Sequence, residues 1–408
     1  MTNETSSDTL NGLFKKVYGD LENLIPDNVK LTKEIPFVPQ NKQIGESYNA
    51  AVVLKSVHGV TYAGTSGDAV DYNPAVPQAT KQASITPAAM FLVDRVPYQA
   101  LLRTQNLSEG AFEDATKHIV ANMLQSAFNK YEQQCFYGGV GLATVDSVNT
   151  STKVITITTA DWAPGIWVGA EGMKLEAYDT TLASQRTGTM QITAVDIVNR
   201  TITVDAVATS LTGTDVLFEY GAKGNEFIGI DKMLSTTTGN IFNIATQSYS
   251  LWRGNQFAVG GAALTFKKVS QAVALATAKG VSGTLTLFVN PKTWSDLLTE
   301  QTAQRTFHEG SMAEYNNGAK KIMFYSQNGD IEIVASSFVK EGRAYALDLS
   351  TFLRIGSQDL TFEHPLKKGK FIEPLEGSTA AQIIAYCDSA LFCSKLGHNI
   401  IFTGIVNS

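Results

Sequence analysis

The 408 residues are too many for one ordinary globular core and predict two to three domains. Net charge is −6 and no Lys/Arg run exceeds a pair, which excludes the basic face needed to hold nucleic acid by its phosphates, although a container with DNA inside it would equally avoid a basic lining. Cys135, Cys387 and Cys393 form no Cys-x-x-Cys spacing, against a disulfide framework or zinc site, and no run reaches the ~18 apolar residues of a membrane span.

The polar, acidic opening Met1–Asp8 lacks the regions of a secretory signal, which predicts a protein made and kept in the cytoplasm until release. Leu10, Leu13, Phe14, Val17, Leu21, Leu24 and Ile25 then recur at helical spacing, and Pro26 ends this amphipathic helix. Such a helix needs a groove to lie in, on its own chain or on a neighbour. Residues 27–47, with Pro36 and Pro39, read as extended. Two strand regions, 51–54 and 84–93, flank a turn-rich stretch at 59–77, predicting a long hairpin that must rest on something else.

The clearest helix runs over 109–136. Ser108 is its N-cap, Glu109, Glu113 and Asp114 lie at its positive end, and Gly138-Gly139 stops it. Phe112, Ala115, Ile119, Met123, Ala127, Tyr131 and Cys135 make one stripe, and the length of roughly 40 Å suits a structural strut. Residues 140–223 differ in kind, being rich in Thr and Val with period-two alternation. Strands at 153–158, 173–177, 190–195, 201–204 and 216–220 predict a small inserted barrel or sandwich. Within it, the stretch from Val145-Asp146 to Thr156 echoes the one from Val195-Asp196 to Thr203, as two similar hairpins. The remainder is mixed α/β: a helix from Phe266 to Gly280, a buried strand at 285–289, a helix opened by Pro291, and strands at 322–325, 331–334, 344–349, 360–363, 372–374, 380–389 and 400–402.

Chemistry finds little support. His58, His118, His308, His364 and His398 have no ligand-like spacing to one another or to cysteine, so neither a metal nor a cofactor is expected. Gly139-Val140-Gly141 follows a helix, whereas a dinucleotide fingerprint follows a strand. No nucleophile elbow, P-loop or His-Glu-x-x-His occurs, and no catalytic residue is assigned. Trp252-Arg253 reads equally as an interface anchor or as a core residue beside a surface charge. Trp294 reads as core. The polar loop 301–318 is long enough to be functional and suits contact with a symmetry neighbour.

The order of parts (terminal arm, long hairpin, long helix, mixed α/β region) resembles the major capsid proteins of tailed bacteriophages, the Hong-Kong-97-type fold. Phe227-Ile228-Gly229-Ile230-Asp231, Tyr249-Ser250-Leu251-Trp252-Arg253-Gly254-Asn255 and Val289-Asn290-Pro291-Lys292-Thr293-Trp294 followed by Leu297 are similar to stretches of that family. The resemblance covers nearly the whole chain outside 140–223. It implies an α+β chain with an N-terminal arm (1–47), extended loop (48–97), peripheral domain with spine helix (98–139), all-β insertion (140–223), peripheral return (224–262), axial domain (263–355) and peripheral C-terminal strands (356–408).

The function implied is a coat protein, not an enzyme. It would self-assemble into hexamers and pentamers of an icosahedral head around double-stranded DNA, built in the host cytoplasm and resident in the virion. A separate scaffolding protein and a portal are the implied partners, with a decoration protein left open. Expected contacts between subunits are Phe14, Val17 and Leu21 of the arm, Tyr62 and Tyr72 of the loop, Trp252 and Arg253, and Phe307 and Tyr315 of the 301–318 loop. Some relatives cross-link a loop lysine; Lys55 and Lys81 lie there, without an identifiable partner. An encapsulin-like nanocompartment shell and a surface or tail protein with a β-sandwich module are the alternatives.

Overall fold

A computed structural model describes residues 29–38, 43–44, 47–97, 109–300, 322–326, 329–362, 372–375 and 377–407. The chain enters through a one-turn helix, α1 (Leu31–Glu34), and two short strands, β1 (Phe37–Val38) and β2 (Gln43–Ile44). The hairpin follows: β3 (Ser47–Lys55) pairs antiparallel with β4 (Ala79–Ile85), and β2 adds to β3. The strand expected at 84–93 is in fact two. Pro87, which has no N–H to continue a ladder, lies between β4 and β5 (Ala88–Pro97), and β5 joins a different sheet.

The long helix α2 (Glu109–Tyr137) spans ~43 Å at 1.5 Å per residue. Met123, Ala127, Tyr131 and Cys135, recurring every four residues, bury one stripe against the body. The helix stops at Gly138 because the returning chain crosses there. A Cβ on Gly138 would sit 2.2 Å from the Phe227 carbonyl oxygen, and Gly229 N–H donates to Gly138 O at 2.9 Å.

Between these two crossings lies a closed six-stranded barrel made of β6 (Ala143–Asn149), β7 (Val154–Ile157), β8 (Lys174–Tyr178), β9 (Met190–Asp196), β10 (Thr201–Val204) and β11 (Val216–Glu219). A one-turn helix, α3 (Pro164–Trp167), separates β7 from β8. The sequence echo is a repeated device. Hairpins β6–β7 and β9–β10 share the same alternation of buried and exposed residues. In the first turn Asn149 Oδ1 accepts from Ser151 N and Thr152 N; in the second Asp196 Oδ1 accepts from Val198 N and Asn199 N. Each turn closes on a left-handed residue, Lys153 (φ 59°) or Arg200 (φ 56°). The two hairpins then pair with each other through β7 and β10, Ile155 opposite Ile202.

After α4 (Ile230–Ser235) and a small ribbon of β12 (Asn240–Ile241) and β13 (Ile244–Ala245), the chain builds its α/β half. The elements are β14 (Asn255–Ala262), α5 (Phe266–Thr277), β15 (Leu285–Val289), α6 (Pro291–Thr299), β16 (Ile322–Ser326), β17 (Gly329–Ala335) and β18 (Arg343–Leu347). Asn290 Oδ1 caps α6 by accepting from Lys292 N at 3.0 Å, while its Nδ2 donates to Val339 O, which locks the Asn-Pro start of the helix in place.

The last strands are β19 (Phe352–Thr361), β20 (Ile372–Pro374), β21 (Ala380–Cys393) and β22 (Ile400–Ile405). β1, β5, β19, β20 and β21 form one sheet; the axial sheet runs β14-β22-β18-β15-β17-β16. β14 and β22 therefore share one sheet with β15, β16, β17 and β18. Ile400, Ile401 and Phe402 are buried, as a strand flanked by two others requires. One continuous apolar cluster runs from the peripheral sheet past α2 into the barrel, and a second lies inside the axial half.

Candidate functional site

The hairpin is the most exposed apolar feature among the described residues. Its base is fixed by buried Leu54, Ala83 and Ile85 and by the bond from Ser84 N to Phe242 O. Beyond Lys55 the two chains run on side by side without a ladder, held by His58 N to Val76 O at 3.1 Å and by Asn73, which bonds Thr61 and Val60. Along this ribbon Val57, Val60, Val70, Tyr62 (87 % exposed) and Tyr72 (93 % exposed) project into solvent. A second apolar area lies on the outer face of the peripheral sheet, where Phe91 (64 % exposed) stacks on Tyr386 at 6.1 Å. Isolated ribbons do not keep such surface dry by themselves, and apolar patches of this kind mark interaction sites.

Of the remaining candidate contacts, Arg253 is exposed. Trp252 is a correction: it is 2 % exposed and its indole N–H donates to Ile241 O at 3.1 Å, so it packs as core and is not the anchor its arginine neighbour suggested. Phe14, Val17, Leu21, Phe307 and Tyr315 lie outside the described residues. Trp294 is partly buried against the axial core.

What sequence reading missed is a buried ionic junction that holds the barrel to the body. Asp161, from the barrel, accepts from Thr144 Oγ1 at 2.5 Å and lies 3.4 Å from Lys340 Nζ. Arg343 reaches both Asp161 and Asp231, and Tyr345 OH donates to Asp231 at 2.7 Å. Tyr137 OH, at the end of α2, donates to Phe338 O and accepts from Lys340 N, both at 2.9 Å. Nearby, Arg200 and Lys292 share Glu341. Burial alone would raise the Asp161 carboxyl, but Lys340, the Thr144 hydroxyl and Arg343 hold it below its ordinary value; burial pushes the Lys340 ammonium down, against the pull of Asp161. Backbone bonds complete the joint: Glu341 N to Trp162 O, Gly342 N to Ala160 O and Gly165 N to Ser337 O, each at 2.9 Å. The barrel is thus a fixed part of the body, not a tethered bead.

Where the chain enters and leaves the barrel, Glu226 accepts from Gly139 N at 3.1 Å. Burial pushes its carboxyl up to about 7; the Gly139 amide, Lys130 and Lys232 oppose the shift and Glu219 adds to it. A carboxyl raised in the folded state favours folding while protonated. That contribution is complete below 4.5 and is lost as pH rises through about 7. Glu226→Gln keeps the acceptor without the charge. It is expected to be more stable than the parent at pH 8 by on the order of 2 kcal/mol, allowing for partial exposure, and equal to it at pH 4. Thermal unfolding at the two pH values checks this.

No groups of His, Cys, Asp and Glu arranged to hold a metal ion occur among the described residues, and no helix there is long and apolar enough to cross a membrane. No protein-family model matches the chain, and no curated protein matches its sequence. Solved structures do match. A chain of the Cyanophage A-1(L) capsid asymmetric unit superposes with a TM-score of 0.57 at 12 % identity, covering 96 % of each chain. The capsid of a native GTA particle gives 0.51 at 8 % identity over 100 % of both chains. The capsid of Cyanophage P-SCSP1u gives 0.51 at 9 % identity, covering 98 % of this chain and 94 % of the other. These matches extend over nearly the whole chain, and the chain carries the Hong-Kong-97-type fold of tailed-phage major capsid proteins, with a closed six-stranded barrel between α2 and α4.

Proposed function

We propose that this chain is the major capsid subunit of a tailed phage, assembling into hexamers and pentamers of an icosahedral head that encloses double-stranded DNA. The observation that carries the reading is the match of fold over 96 % or more of both chains in two capsid structures. The exposed hairpin supports it, because a ribbon with large apolar side chains and no body beneath it suits overlap with a neighbouring copy. A closed shell needs near-identical contacts at differing angles, and thin extended segments spread contact area while tolerating that variation. In this role the chain resides in the virion and works with a scaffolding protein and a portal. Its acidic balance suits a wall that does not grip the DNA it surrounds. The function is structural, with no reaction assigned to it.

Negative-stain microscopy of the chain, expressed alone and with its neighbouring genes, tests this. Closed shells that take up DNA support the proposal. Protein-filled shells without DNA would instead identify a nanocompartment, and monomers under both conditions would overturn assembly altogether. The triple variant Val60→Ser/Tyr62→Ser/Tyr72→Ser is expected to keep the parent's circular dichroism. Its yield of closed shells should fall by about tenfold or more, because one weakened contact of ~1.4 kcal/mol recurs at every subunit.

A further inference from the structure

Beside the barrel junction lies a cavity of about 410 Å³. Thr159, Ala160 and Arg200 of the barrel line one part of it, and Lys292, in the first turn of α6, lines another together with Glu341 and Asn407. The buried Glu341 carboxylate is engaged on both oxygens. Oε1 accepts from Lys292 Nζ at 2.8 Å and from Arg200 Nε at 3.3 Å, and Oε2 accepts from Arg200 Nη2 at 2.9 Å. A guanidinium and an ammonium carry more N–H donors than these bonds use, and the others have no acceptor among the described residues.

The charges at this place do not balance. The ion pairs of the junction join Lys340, Arg343, Arg200 and Lys292 to Asp161, Asp231 and Glu341, which leaves one positive charge in excess. Lys340 and Arg343 lie among two carboxylates, whereas Arg200 and Lys292 share one, so the excess falls at the cavity. An unmatched cation in partly buried surroundings attracts an anion more strongly than it would in water.

We infer that this cavity binds a small phosphate-class oxyanion between Arg200 and Lys292. Thr159 and Asn407 supply a hydroxyl and an amide to the same walls. A tetrahedral anion accepts on every side, which suits donors that arrive from different parts of the chain, and its second negative charge suits a site with two cations. Bound there, it ties the barrel to α6 and stabilises the joint by mass action. The source is a free anion and not a nucleic-acid backbone, because the site is a concave pocket in a chain of net charge −6, without the basic face that a duplex requires. The inference concerns the single chain and holds whether or not that chain builds a shell.

Calorimetric titration of the full-length chain with inorganic phosphate, at fixed ionic strength, tests it. Saturable binding in the millimolar range is the expected result for the parent, with a thermal midpoint that rises as phosphate is added. Two variants probe the site without dismantling the junction. Lys292→Gln leaves both Arg200 bonds to Glu341 in place, and Thr159→Glu adds a carboxylate at the cavity while touching none of the ion pairs. Both are expected to keep the parent's circular dichroism and to bind phosphate about tenfold more weakly or worse. No saturable binding in the parent, or parent-like binding in both variants, would overturn the inference. Acetate binding as tightly as phosphate would overturn the assignment to a phosphate-class anion. A short DNA duplex that displaces phosphate from the parent, and does not bind Thr159→Glu, would give the site to a nucleic-acid backbone and overturn the free anion.

Discussion

Replacing Glu132 with alanine is expected to cost about 3–5 kcal/mol of folding stability, more than most single changes in this chain. Glu132 is fully buried, yet it accepts four bonds from a segment a hundred residues earlier: Lys30 N (3.1 Å), Leu31 N (2.7 Å), Thr32 N (2.8 Å) and Thr32 Oγ1 (2.5 Å). The one-turn helix α1 has no capping side chain of its own, so Glu132 takes that place from α2. Alanine would leave the free amides at the start of α1 without an acceptor, two of them in buried surroundings. Each such loss costs ~1–3 kcal/mol, partly relieved by local rearrangement. Glu132→Gln keeps one acceptor oxygen but turns an NH₂ toward donors, and is expected to lose about half as much. Urea unfolding gives the stabilities. Faster proteolytic cleavage near Val29–Ile35 would show that the entry segment has come loose, whereas an unchanged cleavage rate in Glu132→Ala would refute its role as the anchor.

The second large effect is expected at the barrel junction. Asp161→Ala removes the carboxylate nearest the Lys340 ammonium, which sits at 2 % exposure and keeps Gly141 O at 3.3 Å, the Tyr137 ring at 4.4 Å and the weaker attraction of Asp231. Removing one partner of a buried pair costs about 3–5 kcal/mol, because the other charge stays buried and uncompensated. Asp161→Ala/Lys340→Met removes both charges and fills the space, so it is expected to recover most of that loss and to be more stable than the single variant. A double variant as damaged as the sum of its parts would mean that the pair is not coupled. The pH dependence has a definite sign. The Asp161 carboxyl is held below its ordinary 3.8, so its contribution is complete above that value and lost as pH falls through the lowered one. Parent and Asp161→Ala should therefore converge in acid. The barrel shares one apolar cluster with the body, which makes unfolding in a single transition the expected behaviour.

Much of the architecture is written in local periodicity. The four-residue recurrence of Met123, Ala127, Tyr131 and Cys135 specifies α2, because any helix with that spacing has one apolar side. The alternation in 154–157 and 201–204 specifies strands, and the echo between the two hairpins extends to their turns, since Asn149 and Asp196 make the same bonds to the amides that follow. The glycines at 138 and 139 mark the end of α2 for a reason sequence alone does not supply, namely the crossing chain at Phe227. The tyrosines of the hairpin are legible as exposed because nothing in 56–78 offers them a core.

Other features depend on which distant segments meet. Pro87 divides β4 from β5, but the pairing of β5 with β21, nearly 300 residues away, has no local signature. β22 reads as a terminal strand, and only its position between β14 and β18 explains why Ile400, Ile401 and Phe402 are all buried. Trp252 beside Arg253 has two readings of equal standing until Ile241 O is found against its indole. Asp161, Asp231, Lys340 and Arg343 look like ordinary surface charges in sequence; the fold gathers them, because excluding water from the barrel junction forces the charges trapped there to satisfy one another. The sequence by itself determined the long helix α2, most strands of the all-β module and most elements of the α/β half, since those follow from side-chain spacing along a few turns or strands, but not β14 or the division of 84–93 into two strands. Only the tertiary structure decided sheet membership, the closure of the barrel and the ionic joint that fixes it, since these are set by burial and pairing between residues that the chain itself keeps far apart.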